Sequence, residues 1–152
     1  ADLSDLSAAD IVRLSRVLRD RIDDQYTFSH PSDDRLAHMR HVLWAGKPTL
    51  PDSDARNAVF YGDAAIDRSP CGTGTSSRMA QLVARGDLAE GDNFVHESYI
   101  GSQFRGTVES LTQVGDFAAI VPSIEGWARV YGHNAITVDP EDDPFWKGFV
   151  VT

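Results

Sequence analysis

The sequence predicts an α+β fold: a strongly curved antiparallel or mixed β-sheet, barrel-like, wrapped around one central helix, with a second helix at the N-terminus. Three observations lead there. A helix-period apolar stripe opens the chain, short apolar runs punctuated by glycine and proline follow it, and one further helical segment interrupts those runs. With 152 residues, 41% of them hydrophobic and 24% charged, residues 1–152 suit a single domain with a full core.

The opening helix begins at Ser7-Ala8-Ala9-Asp10, which reads as a capping box with Asp in place of Glu. Ile11, Leu14, Leu18 and Ile22 recur at helical spacing and Val12 and Val17 widen the stripe; Arg13, Arg16, Arg19 and Asp20 form a solvated face. Residues 26–35 are polar around Pro31 and read as a loop. Runs 39–44 and 57–61 read as strands joined by the turn-rich connector 46–52. The central helix spans 75–85, with Met79, Ala80, Leu82 and Val83 apolar and Gly86 as its stop. Next come runs 94–100 and 104–110, a hairpin around Gly101-Ser102, and then 117–121, 127–130 and 135–138 as further strands. An acidic, turn-like stretch covers 139–143, and no internal repeat is visible.

Charge and composition exclude some partners. A net charge of −9 without a basic stripe argues against nucleic acid, and no apolar run approaches the length of a membrane span. One cysteine cannot form an internal disulfide, so a reducing compartment, the cytoplasm, is expected.

That cysteine, Cys71, sits between Pro70 and Gly72-Thr73-Gly74, directly before the central helix. The unpaired N–H groups and positive dipole end of a helix start favour a thiolate over a thiol, and they also form a socket for a carboxylate. A thiolate beside such a socket points to proton transfer at the α-carbon of an amino acid. The alternative is a buried structural thiol, with the glycines serving only the helix start. His96 and Glu97 are adjacent on a strand and point to opposite faces, so they make no metal pair, and no metal site is expected. Gly72-Thr73-Gly74 lacks the ending of a phosphate loop.

The stretch Asp67-Arg68-Ser69-Pro70-Cys71-Gly72-Thr73-Gly74-Thr75-Ser76, followed by Arg78-Met79-Ala80, resembles the second catalytic motif of the proline racemase family. The resemblance continues through His96-Glu97-Ser98-Tyr99-Ile100-Gly101-Ser102, Pro122-Ser123-Ile124-Glu125-Gly126-Trp127 and Asp143-Pro144-Phe145-Trp146-Lys147-Gly148-Phe149. Diaminopimelate epimerases share the glycine-flanked cysteine and the fold, but the Asp67–Pro70 residues separate the two groups. The resemblance implies a diaminopimelate epimerase-like half, namely the C-terminal half of a two-domain enzyme, whose tail at 139–152 packs toward the other half. It implies cofactor-independent inversion at the α-carbon of proline derivatives by two cysteines that exchange acid and base roles. Cys71 matches the second of these; the first, in a Met-Cys-Gly-His motif, has no counterpart here.

The resemblance also assigns binding roles. Asp67 matches an aspartate that meets the substrate's ring nitrogen, or else it is a turn aspartate. Gly72, Thr73 and Gly74 would hold the carboxylate through backbone N–H groups. His41 falls where hydroxyproline epimerases tend to carry histidine and proline racemases cysteine, so its imidazole would read a ring hydroxyl unless it is a plain strand residue. Strand alternation puts His41 with Leu43 on one side and Val42 with Trp44 on the other. Tyr61 matches an aromatic beside the ring or simply packs in the wall. The expected activity is therefore epimerisation of trans-4-hydroxy-L-proline to cis-4-hydroxy-D-proline, with proline racemisation and a non-catalytic half-domain that binds a cyclic amino acid as alternatives. Expected partners are the small-molecule substrate and the N-terminal half of the same enzyme, a homodimer being left open. This chain alone should be inactive.

Overall fold

The computed structural model describes residues 2–148 and places one helix on each face of a six-stranded sheet. A 3-10 turn, Leu3–Asp5, leads into α1, Ala8–Gln25. Ser7 caps α1: its Oγ accepts the Asp10 N–H at 3.1 Å and donates to the Asp10 carboxylate at 2.6 Å. A small hairpin of β1, Ser29–His30, and β2, Asp33–Ala37, follows. The main sheet consists of β3, Val42–Gly46, β4, Ala55–Tyr61, β5, Ala65–Ile66, β6, Asn93–Glu97, β7, Gln103–Val114, and β8, Phe117–Glu125. Between β5 and β6 lies α2, Gly72–Arg85.

Strand order is β3-β4-β6-β7-β8, with β5 paired to one end of β4. All pairings are antiparallel except β4 with β6, where Ala55 and Arg56 run beside His96 and Glu97. The sheet is mixed and open. Among the described residues β3 and β8 remain its edges, so the expected barrel does not close.

β4 is buried at four successive residues, 57–60, because a helix covers each face. Ala58 packs with Leu3 and Ile11 under α1, where Trp44 Nε1 also donates to Ser15 Oγ at 2.8 Å. Asn57 and Val59 face α2 instead. On that side Met79, Phe94 and Val108 form the second core, with Leu82, Val83, Ile120 and Ile124 packed against it. Full burial of side chains such as Ile11 and Met79 contributes about 1.5–3 kcal/mol each. Met79 fits only because Gly106 has no side chain, since a Cβ there would stand 2.4 Å from its sulfur.

Several boundaries differ from the sequence expectation. The central helix starts at Gly72 rather than 75, and residues 26–35 hold most of a hairpin rather than only a loop. Residues 127–130 and 135–138 form no strand; from 126 to 148 the described chain is exposed and without helix or ladder. Those apolar runs have strand composition but no neighbouring strand to pair with. No helix among the described residues is long and apolar enough to cross a membrane.

Candidate active site

Cys71 is the N-cap of α2, with a left-handed φ of 65° and ψ of 122°. Two devices hold it there. In front, the Gly74 N–H donates to Cys71 Sγ at 3.3 Å and the Thr75 N–H to the Cys71 carbonyl at 2.8 Å, which closes the first helical turn. Behind, the Cys71 N–H donates to Ser69 Oγ at 3.0 Å, while Ser69 gives its own N–H and O–H to Asp67 Oδ1 at 2.8 and 2.9 Å. Asp67, Ser69 and Cys71 thus form a relay that fixes the loop. The amide N–H and the helix terminus both direct their partial positive charge at Sγ.

The sulfur opens onto a cleft of about 330 Å³ between α2 and β3–β4. His41, Leu43 and Val59 form one wall; Cys71, Thr73, Gly74, Ser77, Arg78 and Gln81 form the other. Gly74 has to be glycine-sized, since a Cβ would lie 3.1 Å from Leu43 Cδ1 and 3.2 Å from Val59 Cγ2. Inside the first turn, Gly72 and Thr73 have N–H groups that helix geometry leaves without an intrahelical acceptor.

The structure therefore brings His41, Cys71, Thr73 and Gly74 to one cleft, with half-buried Gly72 next to Cys71 in the chain. Asp67 lies instead in a neighbouring cleft of about 430 Å³ with Trp127 and Arg129. Tyr61 stands at the far end of β4, 43% exposed, opposite Ala65. Arg78 and Gln81 were missed by the sequence reading, although they fall seven and ten positions beyond Cys71 on one helix face; an Arg78–Gln81 hydrogen bond joins them. His96 was set aside as half of a metal pair, and it and Glu97 do point apart. Glu97 accepts from Thr49 N at 2.8 Å and Leu50 N at 3.0 Å, whereas His96 faces Thr75 of α2. Burial pulls the Glu97 carboxyl upward, but the Thr49 hydroxyl, these N–H groups and Arg56 hold it below its usual range. Among the described residues, no three His, Cys, Asp or Glu side chains are grouped to hold a metal.

A larger depression of about 780 Å³ runs between α1 and β5, lined by Val12, Arg13, Arg16, Val17 and Ile66. It contains neither acid nor nucleophile, so size alone does not mark the site.

Fold and site together define an α+β lobe that presents one thiol from a helix N-cap into a small cleft. The chain belongs to the proline racemase family, whose sequence model, described as Proline racemase, matches residues 1–150. The 4-hydroxyproline epimerase of Brucella ovis is 55% identical over 150 residues, covering 99% of this chain and 45% of the relative. The 4-hydroxyproline 2-epimerase of Spirosoma linguale is 54% identical over 149 residues, covering 98% and 44%. A solved hydroxyproline epimerase from Agrobacterium vitis, with bound trans-4-hydroxy-L-proline, superposes with a TM-score of 0.78 at 33% identity over 93% of this chain and 40% of that one. A probable proline racemase from Agrobacterium radiobacter K84, with bound carbonate, gives 0.80 at 32% identity over 94% and 41%. The chain thus spans just under half the length of the curated relatives named here.

Proposed function

We propose that this chain is the C-terminal, Cys71-bearing lobe of a cofactor-independent epimerase acting at the α-carbon of 4-hydroxyproline. The observation that carries the reading is the Cys71 sulfur, held at a helix N-cap and open to a cleft lined by the first turn of that helix. Relatives that bear the epimerase name at 53–55% identity support the substrate class.

An amino-acid α-proton is weakly acidic, so inversion needs a base on one face of the carbon and an acid on the other. In this reading, the Cys71 thiolate removes the proton or its thiol returns one, according to direction. A cysteine of the N-terminal half acts on the opposite face. Of the three expected carboxylate donors, Gly74 already gives its N–H to Cys71 Sγ; those of Gly72 and Thr73 hold the carboxylate and concentrate positive potential where enolate charge develops. Asp67, the resemblance's candidate for the ring nitrogen, opens on the neighbouring cleft with Oδ1 held by Ser69, so that role requires the substrate to bridge the two clefts. His41, on the cleft wall, reads the ring hydroxyl; Tyr61, the resemblance's candidate for flanking the ring, lies outside the lining of this cleft.

The N-terminal half is the principal partner. The segment 126–148 supports this, with Val130 80%, Tyr131 97% and Ile136 84% exposed. We infer that this segment and the tail at 139–152 dock on that half; residues 149–152 lie outside the described residues. A reducing cytoplasm suits the thiol chemistry. Proline racemisation is the second reading, favoured by the Agrobacterium radiobacter neighbour.

The test is polarimetry on trans-4-hydroxy-L-proline and L-proline. The complete two-half protein should invert the hydroxylated substrate preferentially, and this chain alone should invert neither. Turnover by the isolated chain would refute the two-half mechanism. Binding without turnover by the complete protein would leave a non-catalytic module.

A further inference from the structure

Behind the Cys71 loop lies a closed group of polar side chains that the proposed chemistry does not use. Asn57 on β4, Thr75 on α2 and His96 on β6 are each 0% exposed. Asn57 Nδ2 reaches both the Pro70 carbonyl at 2.8 Å and His96 Nδ1 at 3.1 Å. Thr75 Oγ1, with one proton to give, lies 3.3 Å from the Pro70 carbonyl and 3.1 Å from His96 Nδ1.

The bonds fix the proton positions. A carbonyl can only accept, so the amide nitrogen of Asn57 must face Pro70, and its second N–H then points at His96 Nδ1. That nitrogen must accept, which places the ring proton on Nε2, an atom with no partner here. Burial, followed by the nearby charge of Arg78, pushes the His96 pKa down to about 4, so the ring stays neutral near pH 7. A charged ring would set donor against donor at Nδ1.

What the group grips is the carbonyl one residue before Cys71. Cys71 is a non-glycine residue at φ 65°, a conformation that persists only when its surroundings over-determine it. We propose that His96 is a positioning residue for Cys71: by accepting at Nδ1 it orients the Asn57 amide onto the Pro70 carbonyl, with the Thr75 hydroxyl beside it, and holds the left-handed backbone that aims Sγ at the Gly74 N–H. The reaction this serves rests on the proposed function, whereas the network itself does not.

The experiment has two arms, neither of which needs turnover. In the wild-type chain, long-range ¹H–¹⁵N spectra of the imidazoles between pH 5.5 and 7.5 should show His96 as the Nε2–H tautomer. An Nδ1–H tautomer or an imidazolium in that range overturns the proposal. The second arm is the rate of Cys71 alkylation by iodoacetamide at pH 7 in wild type, His96→Asn and His96→Gln. Asn places its carbonyl oxygen close to where Nδ1 stood, and Gln moves it toward Nε2. His96→Asn should stay within about twofold of wild type, while His96→Gln should slow by about threefold or more, the worth of a displaced hydrogen bond. Equal rates in all three overturn the role. Should His96→Gln fail to fold, Thr75→Val takes its place under the same criterion; if that fails too, the tautomer decides alone. Absence of hydroxyproline turnover in the complete protein would remove the proposed function and leave both arms as they stand.

Discussion

Gly74 donates its backbone N–H to the sulfur of Cys71 at 3.3 Å while leaving, by its missing side chain, the space that Leu43 and Val59 occupy. One residue thus supplies both the polar contact and the clearance of the cleft. The two roles separate on substitution, because alanine keeps the N–H and fills the space.

Gly74→Ala should therefore lower stability. Crowding a packed site costs about 1–3 kcal/mol, against about 1 kcal/mol gained from better helix propensity. The net loss of up to about 2 kcal/mol should lower Tm by up to about 4–8 °C. Thermal denaturation reads it, and an unchanged or raised Tm would mean that Leu43 and Val59 give way freely.

If the proposed roles hold, Cys71→Ser in the complete protein should abolish inversion while leaving substrate binding largely intact, since the proposed carboxylate socket is backbone and the proposed base is the side chain. Polarimetry and titration calorimetry with trans-4-hydroxy-L-proline separate the two effects. Retained inversion would mean that another group transfers the proton.

His41→Cys in the same protein should shift preference toward proline. Removing an imidazole that binds the ring hydroxyl costs hydroxyproline one hydrogen bond, on the order of 0.5–1.5 kcal/mol, or about two- to tenfold in kcat/KM. Equal losses on both substrates would make His41 a wall residue only.

Stability should fall on acidification in two overlapping steps. His96, with its pKa lowered from 6.5 to about 4, binds fewer protons folded than unfolded across that window. Its effect is therefore absent above 6.5 and costs stability as pH falls toward 4, by about 3 kcal/mol at full extent. Glu97, held below 4.5, contributes stability above that value and loses it as pH falls further. Urea denaturation at pH 7.5 and 4.5 should show the drop in wild type and a much smaller one in His96→Asn. Equal drops would assign the pH dependence elsewhere.

How much of this was legible depends on whether the signal is local. The stop of α2 at Gly86 could be read directly, because its φ of 78° is a conformation that glycine adopts freely. Its start could not. Gly72, Thr73 and Gly74 are poor helix formers, and only the N-cap bond to Cys71 and packing against β3 and β4 recruit them. The hairpin at 29–37 was hidden because Pro31 and polar residues read as loop, while its pairing lies in the backbone. The strand period placed His41 beside Leu43 because alternation belongs to one short segment. His96 gave no such clue. Its partners Asn57 and Thr75 stand 39 and 21 residues away, and nothing near it in sequence marks it as buried beneath a cysteine.

The double coverage of β4 also governs how the lobe opens in solution. Ala58 and Phe60 belong to the α1 side, Asn57 and Val59 to the α2 side, and successive peptide groups of one strand separate them. Neither helix layer can detach without exposing backbone that the other still needs, so the two cores should behave as one cooperative unit in amide hydrogen exchange. The slowest-exchanging amides then lie in the strand that walls the thiol cleft, and the fastest in the uncovered stretch beyond β8. Cys71 thus sits at the boundary of the most persistent part of the lobe, where spontaneous opening least disturbs its aim.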